Sequence, residues 1–366
     1  MHTAVSLLVV RFLFGVGKAG AYPGATRALS GWLPARERGL GQGVFHPGAR
    51  VGAALSLVAM PMLIDVIGWR WTFAANAALG IAWAAAWWFW FRDDPRQHPW
   101  TNEAEANHVE AGIVEPTRDD GEEEQLVPFI QIVTSANVLL AMLQYAASNI
   151  TFFIAITWLR PFMMDRWRRT AANLSAVPLL FGAVSLWLSG WLVTHLYRRG
   201  FPVGSRRIPA MIGFFIGAVG LLLCTQMSEG ESALQFALCF SVAIFGVEMV
   251  LSPSWSFCMD IGGARSGAVS GAMNMVGNLG AAFSAVSFPF FISHVTIPGI
   301  APETGSANSF FVFAASVNLV AMICWTMMNP QRRMVANLSA TALRIRLAAF
   351  LCLVIAAVIY TQIVIK

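Results

Sequence analysis

The chain has 366 residues, 57% of them hydrophobic and 12% charged, about half the roughly 25% charged fraction of a soluble domain. With a mean hydropathy of +0.62, a water-facing shell has too much apolar surface to hide, which excludes a soluble globular protein and points to a bilayer. The net charge of +5, from 24 Lys and Arg against 19 Asp and Glu, matters only through its placement.

Apolar stretches of spanning length, roughly 20 residues each, fall at about 4–26, 41–64, 71–91, 136–160, 174–195, 208–227, 233–257, 267–293, 309–328 and 345–364. They predict ten transmembrane helices. Between the third and fourth, residues 93–128 hold eleven of the nineteen acidic residues, including Asp119, Asp120 and the run Glu122, Glu123, Glu124. Such a segment reads as a poorly ordered linker.

Lys and Arg in short loops are retained on the cytoplasmic side. One alternate set of loops carries Arg36 and Arg38, then Arg198, Arg199, Arg206 and Arg207, then Arg265, then Arg332, Arg333, Arg344 and Arg346. That set, with the linker, is expected in the cytoplasm. The other set carries Arg70, Glu229, Glu231 and Glu303, and one dissenting cluster, Arg166, Arg168 and Arg169. Ten spans then put both termini outside.

The five cysteines, Cys224, Cys239, Cys258, Cys324 and Cys352, lie in apolar runs without CxxC spacing, so neither a disulfide framework nor a zinc site is expected. Arg11 and Lys18 interrupt the first apolar run, which does not read as a cleavable signal.

An internal repeat is present. At an offset of 228, Gly43, His46, Arg50, Gly52 and Ala53 fall on Gly271, Asn274, Asn278, Gly280 and Ala281. At an offset of 230, Pro23 falls on Pro253 and Lys18 on Glu248. Duplicated bundles are a habit of transporters. The repeat makes spans one to three copies of spans seven to nine, leaving spans four to six without a partner.

The stretch Arg11 to Pro23 is followed by Trp32-Leu-Pro34-Ala-Arg36-Glu37-Arg38, by Gly43 to Gly52 with His46 and Arg50, and by Gly68-Trp69-Arg70 with Phe73. Further on come Trp158-Leu159-Arg160-Pro161, Gly190 to Gly200 and Gly271 to Gly280. In order and spacing this series resembles the major facilitator superfamily, specifically its anion:cation symporter branch of sugar-acid and organic-anion permeases. The resemblance implies an all-α integral membrane fold, a truncated major-facilitator-type bundle that begins at family helix four. Residues 1–92 then correspond to family helices four to six, 93–128 to the acidic cytoplasmic linker, 129–330 to the six-helix C-terminal bundle and 331–366 to one added span. Two departures stand out. Thr194 replaces the acid of the G-x-x-x-D-x-x-x-R-x-G loop, and Lys18 stands where the branch places a carboxylate.

Ionisable groups at membrane depth are functional candidates by default. Arg11 and Lys18 are seven residues apart and share a helix face about 10 Å long. Arg11 matches the family arginine that the resemblance implies binds the substrate carboxylate, in keeping with a bidentate guanidinium fork; the alternative is snorkelling to the surface. Glu248 is the candidate for ion coupling, and its repeat mate Lys18 is its expected partner across a central cavity. His46 and Arg50 share one face; Arg50 either lines the cavity or hydrogen-bonds carbonyls near a bend at Pro47. Tyr145 and Asn149, and likewise Asn274 and Asn278, are candidates to bind a hydroxylated ligand or to serve as interhelical glue. The pairs Gly48 with Gly52 and Gly277 with Gly280 are expected to permit close helix packing.

No hydrolase, zincin or Walker motif occurs, so neither an enzyme nor a cofactor is expected. The reading is a secondary transporter in the plasma (inner) membrane, moving a small organic anion with H+ or Na+ as coupling ion, as a monomer and without nucleic acid. A fragment of such a carrier, unable to transport, is the alternative.

Overall fold

The computed structural model describes residues 4–112, 129–167, 169–227, 232–300 and 306–332, and five positions between 341 and 348. The acidic run Asp119 to Glu124, Cys352 and most of the expected span 345–364 lie outside the described residues. The described elements are α1 (Ala4–Ala19), α2 (Ala21–Trp32), α3 (Arg38–Trp90), α4 (Glu103–Gly112), α5 (Phe129–Val133), α6 (Ala136–Thr157), α7 (Leu159–Trp167), α8 (Val177–Arg198), α9 (Gly204–Thr225), α10 (Ala233–Met249), α11 (Leu251–Gly262), α12 (Ser266–His294) and α13 (Asn308–Met327). The fold is all-helical, with seven continuous helical stretches among the described residues long and apolar enough to span a bilayer.

Two of the seven double back. Helix α3 has 53 residues and breaks at Gly68, whose φ of 77° suits a residue without a Cβ. Its second half returns: Asn76 Nδ2 lies 3.5 Å from Met60 Sδ, and Arg92 C=O accepts a 2.9 Å hydrogen bond from Trp32 Nε1, beside the start of α3. The run Ala233–His294 turns at Gly263, and α12 comes back along α11, with Cys258 Sγ 3.5 Å from Met273 Sδ. The first nine expected spans therefore all appear as helix, within a few residues of the expected limits.

Local sequence explains the helix ends. Ser232 opens α10 with a capping box, its hydroxyl accepting from the Gln235 N–H while the Gln235 side chain accepts from the Ser232 N–H. At the start of α3 the Leu40 N–H donates to Thr194 Oγ1 at 2.9 Å, so a residue 154 positions away satisfies a free helix donor. Thr194, standing where the loop motif carries an acid, thus caps a helix from across the molecule.

The core is concentrated in α6 to α13. The best apolar window of Val5–Trp32 has no buried residue, whereas that of Ala233–His294 is 67% buried. The second half of α3 shows the same exposure: Trp71, Leu79, Ile81, Trp83 and Trp88 lie on the surface, which an apolar bilayer tolerates. The first half of α3 is pinned instead to α8, where Gly43 and Gly190 meet so closely that a Cβ on Gly43 would lie 2.7 Å from the Gly190 Cα. Gly48 and Gly52 make no comparable approach; a Cβ at either would meet nothing within 4 Å. Among the described residues the packing expected at that pair is therefore absent, because this stretch of α3 turns that face away from its described neighbours.

Candidate functional site

The side chains Arg38, Gln42, His46 and Arg50 recur every four residues and form one stripe along α3. Opposite runs the α10–α11 segment in antiparallel sense. Arg38 Nη1 lies 3.1 Å from Asp260 Oδ1, Gln42 Nε2 lies 3.4 Å from Met259 Sδ, the His46 ring lies 5.4 Å from that of Trp255, and Arg50 Nε lies 2.6 Å from Glu248 Oε2. The two ion pairs are twelve residues apart on both segments, so a single register fixes them both. That spacing puts Arg50 about 18 Å from Arg38 along the helix, well inside a hydrocarbon core about 30 Å thick.

The deeper pair is enclosed. Glu248 is fully buried, and the Arg50 side chain is 13% exposed. Phe152 covers the guanidinium with its ring centroid 4.0 Å from Cζ, and Gly182 leaves room for the Glu248 side chain, whose Cγ lies 3.0 Å from where a Cβ would stand. Glu248 Oε1 has no hydrogen-bond partner among the described residues. A carboxylate oxygen free at the edge of a buried ion pair is a point where a proton can be held.

One helical turn before Arg50, His46 sits in a box of rings. Tyr22 stacks on it at 5.7 Å and 18°, and Phe45 meets it edge-on at 5.0 Å. Trp255 closes the box 5.8 Å from both Tyr22 and Tyr145. His46 Nδ1 lies 3.1 Å from the Gln42 carbonyl, which can only accept, so Nδ1 carries the proton. His46 Nε2 is buried without a hydrogen-bond partner among the described residues.

The structure places the sequence candidates unequally. Glu248 is fully buried and pairs with Arg50, not with Lys18. Lys18 and Arg11 lie exposed on α1. The repeat explains why the mates do not meet. Ser30 and Ser266 are hydrogen-bonded at 2.9 Å, and under the two offsets Arg38 falls on Ser266 and Ser30 on Asp260, so this contact is the counterpart of the Arg38–Asp260 bridge. The repeat exchanges contacts between α2 and α12 with contacts between α3 and α11; it does not bring a residue to its own copy. Arg50, read from sequence as lining a cavity or bonding carbonyls near Pro47, makes a salt bridge instead.

Tyr145 reaches the box through Trp255. Asn149 packs beside it on Gly277, where a Cβ would lie 2.3 Å from Tyr145 Cδ1 and 2.5 Å from Asn149 Nδ2. Asn274 is half-buried, and Asn278 is exposed and donates to the Asn274 carbonyl of its own helix at 2.8 Å. Trp255 and Tyr22 were not legible as site residues; the only sequence signal was the four-residue stripe on α3, which does not name what lies opposite.

At one end of the molecule the expected cytoplasmic loops converge. Asp260 accepts from Arg38 and, at 2.8 Å, from Arg206 Nε, and the Arg206 side chain is fully buried. Ser252 Oγ donates to the Gly39 carbonyl at 2.8 Å, Arg27 donates to the Ala264 carbonyl, and Arg198 lies 3.8 Å from Glu37. These contacts tie α2 and α3 to the later helices and close this end over the box. Just outside, Arg96 makes a two-pronged pair with Glu110 of α4, and that pairing holds the Glu110 carboxyl below the usual carboxylate range.

Known proteins resemble this chain over most of its length. The probable sulfoacetate transporter SauU of Cupriavidus necator is 26% identical over 337 residues, covering 88% of this chain and 72% of that protein. The probable L-galactonate transporter of Escherichia coli is 23% identical over 297 residues (80% and 64%), and the chloroplastic ascorbate transporter of Arabidopsis thaliana 26% over 325 residues (88% and 57%). The chain thus spans between about half and three quarters of the length of these relatives. The family profile described as Major Facilitator Superfamily matches residues 1–285. An all-helical membrane fold and a profile match over most of the sequence converge on one assignment: the chain belongs to the Major Facilitator Superfamily.

Proposed function

We propose that this chain moves a small organic anion, a sugar acid or related carboxylate, across the plasma (inner) membrane by alternating access, as a monomer and coupled to protons or cations. The observation that carries the reading is the Arg50–Glu248 pair at 2.6 Å, buried between α3 and α10. A guanidinium at this depth is the group an anion needs, and Glu248 occupies it. A proton taken by Glu248 frees Arg50, the substrate anion takes the vacated place, and rocking of one helix group against the other carries both across. Arg11 and Lys18, on exposed α1, add positive charge that attracts the anion. The names of the relatives, which concern sulfoacetate, L-galactonate and ascorbate, favour the same substrate class.

The test is counterflow of labelled galactonate in proteoliposomes. Wild-type protein takes up label, and Arg50→Ala loses uptake while remaining folded. Undiminished uptake in Arg50→Ala removes Arg50 from the site. A folded wild-type chain with no uptake of any organic anion favours the second reading, a piece of such a carrier that does not transport.

A further inference from the structure

Buried polar atoms that lack a hydrogen-bond partner among the described residues concentrate along one seam. In order along the α3 stripe they are Glu248 Oε1, on the carboxylate paired with Arg50, then His46 Nε2, Gln42 Oε1 and Arg38 Nε. Two hydroxyls flank the stripe. Ser256 Oγ, on α11, stands next to Trp255 and one turn before Asp260. Thr26 Oγ1, on α2, stands one turn after Tyr22, whose ring stacks on His46, and one turn before Ser30, which bonds Ser266 at the loop end. All six residues are buried. An unpaired buried polar atom costs about as much as a lost hydrogen bond, and water is the usual partner where several such atoms line one seam. Their chemistry suits water at both its ends: Glu248, His46 and Gln42 accept, Arg38 donates, and the two hydroxyls do both. The seam ends on Asp260, held between Arg38 and Arg206. The twelve residues of α3 between the two ion pairs make it about 18 Å long.

We propose that bound water fills this seam and carries the proton of Glu248 to the loop end, the expected cytoplasmic side, while that end stays closed to the anion. The proposal rests on the proton-coupled form of the carrier reading and adds a route and a side of release. Glu248 gives the proton on Oε1 to the nearest water, which passes one of its own to the next oxygen. The Thr26 and Ser256 hydroxyls accept one proton and release another, and the last water, beside Asp260, gives one to the solvent. Every O–H bond broken is matched by one formed, and Glu248 is left ionised beside Arg50. The other titratable groups around Glu248 and the box are His46 of α3, Tyr22 of α2 and Tyr145 of α6. His46 holds a water in the file without titrating, because its Nδ1 proton is committed to the Gln42 carbonyl and Nε2 only accepts.

The experiment uses the full chain in nanodiscs and two readouts. Hydroxyl-radical footprinting by radiolysis marks side chains next to bound water: His46 and the buried Met259, which touches Gln42, are expected to be oxidised, whereas Met163, buried in the apolar core, is protected. Transfer of acidified nanodiscs to deuterium oxide follows the Glu248 carboxyl proton by its infrared carbonyl stretch, assigned by its loss in Glu248→Gln. Thr26→Val with Ser256→Ala, which deletes both hydroxyls at nearly constant volume, is expected to slow that exchange by roughly tenfold, the worth of a hydrogen bond, and to lower the oxidation of Met259. If that pair does not fold, Gln42→Met makes the same test. His46 and Met259 as protected as Met163 overturn the proposal, and so does exchange as fast in the folded variant as in the wild type, or a Glu248 carboxyl band missing at every pH. Galactonate counterflow on the same protein separates the two readings. Both signals without uptake leave the water route standing and remove the anion reading; uptake without the signals does the reverse.

Discussion

Arg50 and Glu248 hold each other in a place where neither charge is tolerable alone. Removing one partner of a buried pair leaves an uncompensated charge and costs about 3–5 kcal/mol, whereas replacing both by apolar groups is close to neutral. Arg50→Met is therefore expected to lower the thermal unfolding midpoint in detergent markedly, and Arg50→Met combined with Glu248→Leu to restore most of it. A double variant no more stable than the single one shows that the pair is not the source of the loss. The same carboxylate makes a functional prediction. Glu248→Gln keeps a hydrogen-bonding side chain beside Arg50 but cannot cycle a proton, so anion exchange without a gradient persists while stimulation by an inward proton gradient disappears. Uptake measured with and without a pH step decides it; full stimulation in the variant ends the coupling role.

Helix α3 shows how one element serves opposite demands along its length. At Gly43 it crosses α8 with the Gly190 backbone in contact, and a Cβ there would lie 2.7 Å from the Gly190 Cα. At Gly48, five residues on, a Cβ would meet nothing within 4 Å. Overpacking a tight contact costs about 1–3 kcal/mol, whereas replacing glycine by alanine in an open helix position gains up to about 1 kcal/mol. Gly43→Ala is thus expected to destabilise the protein and Gly48→Ala to leave it unchanged or slightly firmer, measured by the same thermal shift. Equal effects at both sites would contradict the crossing. Sequence spacing alone marked Gly48 and Gly52 as a packing pair, because a four-residue glycine interval is a common contact pattern; it carries no information about which way the interval faces.

At the scale of the whole molecule, the contacts at the loop end form a closure. Ser30 meets Ser266 and Arg38 meets Asp260, each joining the early helices to the late ones. If transport requires this end to part, fastening it must stop transport. Ser30→Cys with Ser266→Cys, placed in a chain freed of its other cysteines, is expected to crosslink on oxidation and abolish uptake, with recovery on reduction. Uptake that continues while the crosslink is intact rules out separation at this end as part of the cycle.

Composition alone established the bilayer, because 57% hydrophobic residues cannot be concealed from water by 366 residues. Apolar periodicity placed nine helices within a few residues of their observed positions, since helix formation in hydrocarbon is enforced locally: every backbone donor must be satisfied within its own segment. The ordered motifs pointed to the family, and the depth of Glu248 marked it as a candidate. The partner of Glu248, the ring box around His46 and the capping of α3 by Thr194 were decided only by tertiary structure. Each depends on the register between helices up to about 220 residues apart along the chain, which is set by crossings such as Gly43 on Gly190 and by the antiparallel run of α3 along α10 and α11. Such a register is a property of two surfaces fitted together, and neither surface states it by itself.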